Sequence, residues 1–370
     1  MRPIRAAIAS TLALPVAAWA LAGTPRAEEP PAPAPTAKPH PLVAPMKEGL
    51  NITGINSNGD VVGFHWEPEN GNPDILYEAP FLAQGEKITR LPLLKTYTAT
   101  FPYGVSDDGV VAGRSSKPAP PNTYVHLRNQ AFVWTADKGI RGLGAPENDG
   151  ASFATGISRD GRRISGIGVG DYRLRAVVWE REGDDWKAVL IPDADKLGSN
   201  VLAISPDGKR LAAIQEGVAS LWTEEAPGSW KRRALSEVPN DLIPRAVNDS
   251  GMVAGYRNDP DGTLRAVVWT PEGGVKALPI PEGFEHAQAT GLNNAGAVVG
   301  QVDGPHGHEP GPHAFVYEDG KLRILDEYGP TFVWATVIND RGQVSGVLEE
   351  PEEVPPAEAP EAPDAAPKRE

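Results

Sequence analysis

The chain of 370 residues has no cysteine and three methionines, and its 35 lysines and arginines are outnumbered by 49 aspartates and glutamates. Without cysteine there is no disulfide, thiolate metal ligand, thiol nucleophile or lipidated N-terminal Cys. A formal net charge of −14 leaves no basic stripe to release counterions from a phosphate backbone, which argues against a nucleic-acid partner. Long apolar runs are scarce too. The longest, Ala6 to Leu21, is interrupted by Pro15 and is shorter than the ~20 residues that cross a bilayer, so no membrane span is expected in the mature protein. Abundance lies elsewhere, in 40 glycines, 38 prolines and a hydrophobic fraction of 40%. That combination describes a turn-rich chain with enough apolar surface for a packed core, and it disfavours a helical bundle.

The two ends differ from the body. Arg2 and Arg5 precede the apolar run, and Ala20-Leu21-Ala22 closes it, the pattern of a secretory signal over residues 1–22. Export to the periplasm or the medium is therefore expected. Residues 23–41 and 349–370 are rich in Pro and Ala, and the second stretch sets eight acidic residues against Lys368 and Arg369. Such composition buries little and reads as solvated linker and tail around a folded body at 42–348.

Within that body one short pattern recurs seven times: an apolar strand, Asn/Ser-x-x-Gly, and a second apolar strand. The copies are GINSNGDVVG (54–63), GVSDDGVVAG (104–113), GISRDGRRISG (156–166), AISPDGKRLAA (203–213), AVNDSGMVAG (246–255), GLNNAGAVVG (291–300) and VINDRGQVSG (337–346). The residues just before the turns, from Ile55 to Ile338, are spaced by 50, 52, 47, 43, 45 and 46. A second hairpin follows six of them, as in AFVWTADKGIRGLG (131–144) and AVVWTPEGGVKALPIP (266–281), with PFLAQGEKITRLP (80–92) a degenerate first copy. Each repeat thus reads strand A, turn, strand B, connection, strand C, turn, strand D. Asn or Ser caps such a turn through its side chain, and Gly supplies the positive φ. One such unit cannot bury both faces of its sheet, so the repeats must stack, and a ring leaves only short edges. The expected fold is an all-β propeller of four-stranded antiparallel blades. If every A strand is innermost, seven blades follow, the last completed from Leu42 to Met46; six blades with a spare hairpin is the alternative. The Gly ending most B strands fits the close approach of a large ring, with Trp134, Trp179, Trp222 and Trp269 in view.

The most complete second hairpin begins Pro312-His313-Ala314-Phe315-Val316-Tyr317 and follows Asn293-Asn294-Ala295-Gly296-Ala297-Val298-Val299-Gly300. Together these resemble the HAF repeat family, whose units pair an Asn-x-x-Gly-x-Val-x-Gly segment with His-Ala-Phe-x-Trp. The resemblance covers about 52–347 and implies a bacterial extracellular repeat protein without an assigned chemistry. The histidine position is Gln130, Arg175, Val218 and Arg265 in other repeats, which speaks against a shared reaction there. Ser205-Pro206-Asp207-Gly208 also resembles the matching turn of TolB-type propellers.

In a propeller the A/B and C/D turns share one face, and the B/C and D/A connections share the other. The second set is longer and more varied here, over 64–78, 114–129, 168–174 and 302–312. Ligand-binding residues are therefore expected on it: Trp66, Asp74, Tyr77, Tyr124, His126, Arg128, Tyr172 and Arg173, the aromatic and Arg types that dominate hot spots. His306, His308 and His313 lie in GPHGHEPGPH. The spacing is one residue too long for the zinc motif H-E-x-x-H, and Gly and Pro forbid its helix, so His306 and His308 are weak metal candidates and no metal or cofactor is expected. The turn aspartates supply one or two oxygens each, short of the six to eight that calcium takes. Neither a G-x-S-x-G elbow nor a phosphate loop occurs. The expectation is an exported, monomeric, non-catalytic scaffold binding protein or glycan at the cell envelope or beyond it. The alternative is a hydrolase or lyase acting on extracellular polysaccharide.

Overall fold

The computed structural model describes residues 49–69, 72–117, 128–146, 149–170, 173–192, 198–304, 311–325 and 332–348, without the side chains of residue 69 and of 72–76. The chain divides into the units Met1–Lys38 and Pro39–Glu370, and every described residue belongs to the second. The signal, linker and tail expectations, and Leu42 to Met46, lie outside the described residues.

All described regular elements are strands. The first sheet contains β1 (Leu50–Ile55), β2 (Val61–Glu69), β3 (Asn72–Gln84) and β4 (Lys87–Arg90). Next come β5 (Ala99–Val105), β6 (Val111–Ser116), β7 (Asn129–Thr135) and β8 (Gly139–Gly142). The third and fourth sheets are β9 (Ala151–Ile157) to β12 (Asp185–Leu190), with β10 (Arg163–Gly170) and β11 (Arg173–Glu182), and β13 (Ser199–Ile204) to β16 (Ser229–Ala234), with β14 (Arg210–Gln215) and β15 (Val218–Ala226). The fifth holds β17 (Leu242–Val247), β18 (Val253–Asn258), β19 (Leu264–Thr270) and β20 (Gly274–Ala277). The sixth holds β21 (His286–Leu292), β22 (Val298–Asp303), β23 (His313–Glu318) and β24 (Lys321–Ile324), and a last hairpin, β25 (Phe332–Ile338) and β26 (Val344–Leu348), ends the series. Strands pair in sequence order and antiparallel throughout each sheet, as in a β-propeller.

Among the described residues there are six sheets, not seven. The last hairpin forms no sheet of its own; Asn51 pairs with Val347, so β26 joins β1 and the first sheet becomes β25-β26-β1-β2-β3-β4. The favoured seven-bladed count therefore gives way to six sheets with an additional hairpin. Among the described residues the last A/B hairpin has no C or D strand to complete a blade, and its open edge meets the nearest unpaired edge, that of β1, through one ladder pair.

The core lies between neighbouring sheets. Ala112, Ala131 and Val133 of the second sheet pack on Ile164, Val177 and Trp179 of the third, and Ala176 and Val178 pack on Leu211, Trp222 and Trp230 of the fourth. Val299, Ala314 and Val316 of the sixth meet Phe332, Ala335 and Val344 of the last hairpin. Trp179 is wholly buried, and each large side chain so placed contributes ~1.5–3 kcal/mol.

Two features of the repeat set the inner wall. The seven turn glycines, Gly59, Gly109, Gly161, Gly208, Gly251, Gly296 and Gly342, all have φ between 64° and 90°, as the turn pattern requires. The ladder between strands A and B also slips by one residue in every repeat, at Thr53, Tyr103, Thr155, Leu202, Arg245, Thr290 and Thr336. This bulge presses a carbonyl against the B strand. A Cβ on Gly63, Gly113, Gly255, Gly300 or Gly346 would stand 1.9–2.1 Å from a backbone oxygen of strand A. The glycines are thus demanded first by backbone. Rings come second, since a Cβ would stand 2.7 Å from Trp179 at Gly166 and 2.8 Å from Phe315 at Gly300, where the expected rings were Trp134, Trp179, Trp222 and Trp269.

Candidate functional site: the central channel and the face above it

The first strands of all seven repeats surround a central channel of about 570 Å³, lined from Thr53 to Asn56 in the first repeat through Val337 to Asp340 in the last. At one end stand the A/B turns. Neighbouring turns are linked there: Asn56 Nδ2 donates to the Ser106 carbonyl at 2.9 Å, Asn248 Nδ2 to Asn293 at 3.1 Å, Asn293 Nδ2 to Asn339 at 3.1 Å and Asn339 Nδ2 to Asn56 at 3.0 Å. Arg159 of the third repeat forms an ion pair with Asp340 of the seventh, which lies across the turn-side mouth. Deeper in the wall, the Thr53, Thr290 and Thr336 hydroxyls donate to carbonyls of the next repeat, Pro102 at 2.6 Å, Ala335 at 2.7 Å and Ile52 at 2.7 Å.

The opposite face carries the B/C and D/A connections. The described residues of 64–78 do not form a loop: β2 and β3 continue as a paired ribbon, with Trp66 opposite Glu78 and Glu67 opposite Tyr77. Likewise β10 and β11 pair out to Gly170 and Arg173, and β22 and β23 out to Val302 and His313. The alternation in these extensions is irregular, and Pro68 and the glycines hid their strand character.

The ribbon separates two of the expected binding residues. Trp66, 49% exposed, shares one side of β2 with Phe64 and meets it edge-on at 6.0 Å. Tyr77 lies on the other side, where its hydroxyl donates to Glu67 Oε2 at 2.5 Å and accepts from Arg90 Nη2 at 2.9 Å. Glu67 also meets His65 Nε2 at 2.8 Å. The Tyr77 hydrogen bond, with help from His65 and Arg90, holds the Glu67 carboxyl below the usual range. Tyr77 is thus committed to a local polar cluster.

Arg173 is exposed at the start of β11, and Arg128 is half-buried just before β7, its carbonyl accepting from Lys117 N at 3.2 Å. Asp74 lies in β3, but its side chain is outside the described set, as are Tyr124, His126, Tyr172, His306 and His308. Among the described residues no group of three or more His, Asp or Glu could hold a metal ion, and no helix is long and apolar enough to cross a membrane.

Trp66 opens a path that the sequence did not reveal. Phe64 meets Phe101 of the second repeat edge-on at 5.5 Å. The Arg114 guanidinium lies over Phe101 at 4.7 Å and over Tyr103 at 5.9 Å, and Arg114 and Tyr103 line the channel together with Phe153, Leu202 and Arg245. A chain of aromatic and guanidinium contacts thus runs from an exposed tryptophan into the channel. The detectable signal was the bulge column of the repeat, which holds Tyr103, Leu202 and Arg245 where other repeats have threonine. Chemically, the site offers flat apolar surface and positive charge. Every described carboxylate whose pKa departs from the ordinary range is lowered: Glu67, Asp137, Asp184, Asp207, Glu224 and Asp261.

No family model matches the chain, and no curated protein matches it in sequence. Solved structures do. A puromycin-hydrolyzing peptidase of Mycobacterium tuberculosis is 16% identical over 77% of this chain and 56% of its own, with a TM-score of 0.43. The β-propeller domain of the Trilobed protease from Pyrococcus furiosus is 8% identical over 75% of this chain and 84% of the domain, with a TM-score of 0.48. A putative TolB from Agrobacterium tumefaciens is 15% identical over 63% of this chain and 81% of its own, with a TM-score of 0.43. The chain spans about half the length of the peptidases it matches, 56% of the mycobacterial one and 46% of an acylaminoacyl peptidase of Pyrococcus horikoshii.

Proposed function

We propose that this protein is an exported, non-catalytic recognition scaffold of the HAF-repeat kind, binding protein or glycan at the cell envelope or outside it. The binding surface in this reading is the face of the B/C and D/A connections with the channel beneath it. The observation that carries it is the contact path from exposed Trp66 through Phe64 and Phe101 to Arg114. Clustered aromatic rings with a few placed polar groups in a cavity of ~300–1,000 Å³ are the usual make-up of a ligand site. The Arg159–Asp340 pair at the turn-side mouth favours entry from the opposite side.

The test uses the full chain on an array of defined glycans and peptides, beside Trp66→Ala and an Arg173→Ala/Trp66→Ala pair. Truncating a hot-spot tryptophan costs ≥2 kcal/mol, so retention should fall about thirtyfold. Retention indifferent to both variants removes this face from consideration, and new chain ends released from a bound polysaccharide by the wild-type protein would put a hydrolase or lyase in place of the scaffold.

A further inference from the structure

Inside a protein of net charge −14, the channel wall is locally positive. Arg114 is half-buried and Arg245 exposed to the channel, and among the described residues neither side chain has an ion-pair or hydrogen-bond partner. The Arg114 Nε is fully covered and unbonded. Two carboxylates line the same space, both at the turn-side mouth and both engaged: Asp107 Oδ1 accepts from Ser57 N at 2.9 Å, and Asp340 accepts from Asn294 N at 2.8 Å and pairs with Arg159. Most other arginines of the fold have acidic partners, as Arg163 has Glu180 at 2.9 Å. A guanidinium held in place by two aromatic faces with its outer Nη donors unspent is a preorganised anion site, because the rings fix its plane and take none of its hydrogen bonds.

We propose that the channel binds the carboxylate of an acidic oligosaccharide, with Arg114 as its anchor and Arg245 adding charge. This rests on the recognition reading above and names its ligand class. A carboxylate matches the planar fork of arginine. The remainder of the ligand is then uncharged, since both acids of the lining stand at the turn-side mouth and none lies deeper in the channel to receive an ammonium, which disfavours a free peptide. Sugar rings fit, their C–H faces packing on Tyr103 and Phe153 of the lining. The volume of about 570 Å³ suits a short oligomer.

The test is calorimetric titration of the full-length protein with digalacturonate, with uncharged galactobiose and with alanylphenylalanine. Wild-type protein should bind digalacturonate with a Kd below about 1 mM and galactobiose at least tenfold more weakly. A charge-assisted hydrogen bond is worth ~1.5–3 kcal/mol, so Arg114→Gln should weaken digalacturonate binding about tenfold or more. Arg114→Lys should recover a minor part, Arg245→Gln should weaken binding less, and Arg141→Gln, on the outer β8, should change nothing. Circular dichroism of each variant shows that folding is intact, and if Arg114→Gln does not fold, Arg245→Gln and the galactobiose comparison decide. Equal binding of the two sugars, indifference to both channel arginines, or no digalacturonate binding overturns the proposal. Arg114-dependent binding of the dipeptide alone overturns the saccharide assignment. The array result stands independently, since Trp66→Ala leaves Arg114 in place.

Discussion

Four of the seven inner turns begin with asparagine and three with serine, and the two kinds occupy separate arcs of the ring. Asn248, Asn293, Asn339 and Asn56 follow one another through the fifth, sixth, seventh and first repeats, and Ser106, Ser158 and Ser205 fill the second to fourth. An asparagine serves two repeats at once. Its Oδ1 accepts the turn's own N–H groups, as from Arg341 and Gln343 at 3.0 Å for Asn339, while Nδ2 reaches the next repeat. A serine has one oxygen and one proton. The oxygen takes the turn N–H, as from Arg210 at 3.0 Å, and the proton goes to the aspartate two residues on, Ser158 to Asp160 at 2.6 Å and Ser205 to Asp207 at 2.5 Å. All three serine turns have that aspartate, and none of the asparagine turns does. Serine repeats must then be linked by backbone, Asp107 N to the Arg159 carbonyl at 2.9 Å and Arg159 N to the Pro206 carbonyl at 2.8 Å. The difference teaches where the ring is sealed. The meeting of last and first repeats falls within the asparagine arc, and Thr336 and Asn339 bond across it where one ladder pair, Asn51 with Val347, joins the strands.

The largest expected effect comes from the B-strand glycines. All four asparagine-arc repeats have Gly there, as do two of the serine arc, Gly113 and Gly166, while the third holds Ala213, fully buried, at the matching place opposite Val201. In Gly300→Ala the new Cβ would stand 1.9 Å from the Gln288 oxygen, a backbone atom that cannot swing aside. Overpacking of this kind costs ~1–3 kcal/mol or more, and the upper end is expected. Ala213→Gly should cost ~0.5–1 kcal/mol. Urea denaturation of both variants checks the asymmetry, and a Gly300→Ala midpoint as mild as that of Ala213→Gly would break it.

Exchanging one kind of turn for the other sharpens the comparison. Asn248→Ser deletes the donor to the Asn293 carbonyl, which keeps only the Gly296 N–H at 3.1 Å, and the loss of that one hydrogen bond should cost ~0.5–1.5 kcal/mol. Adding Ser250→Asp restores the serine–aspartate pair, so the double variant should regain about half of the loss and no more, because the inter-repeat bond stays broken. A double variant no better than the single one would show that the aspartate does not belong to the serine device.

Much of this was legible beforehand. The Asn/Ser-x-x-Gly turns, with their positive-φ glycines, located all seven A strands correctly, and the C/D hairpins followed even for the irregular 80–92. Blade count was not legible, because the pairing of β26 with β1 depends on which edges are free after folding. The site was read least well. Residue type picked out Trp66 and Tyr77 alike, but the period-2 alternation of an unsuspected ribbon places them on opposite sides, one leading to the channel and one spent on Glu67. Arg114 escaped notice because it follows Gly113 in an ordinary B strand, and its meaning comes from Phe101 and Tyr103 on the neighbouring strand.

The smallest expected effect is one of acidity. Asparagine links are neutral, whereas the serine device contains an ionised acid. Burial opposes the charge on Asp207, but the Ser205 hydroxyl, the Lys209 N–H and Arg210 outweigh it and hold its pKa below the ordinary range. A carboxyl depressed in the folded state stabilises it fully above its unfolded pKa of ~3.9, and that contribution is lost as pH falls through the lower folded value. Between neutral pH and about pH 5 Asp207 should therefore add a constant increment, and below about pH 4 the increment should fade. Amide exchange in the fourth repeat should then rise on acidification more than in the sixth, where Asn293 makes the link. Asp207→Asn should remove that difference while lowering stability at pH 7 by less than about 1 kcal/mol, the partial exposure of the group limiting its worth. Equal acid sensitivity of the two repeats in the wild-type protein would mean that the turn aspartate does not set the response.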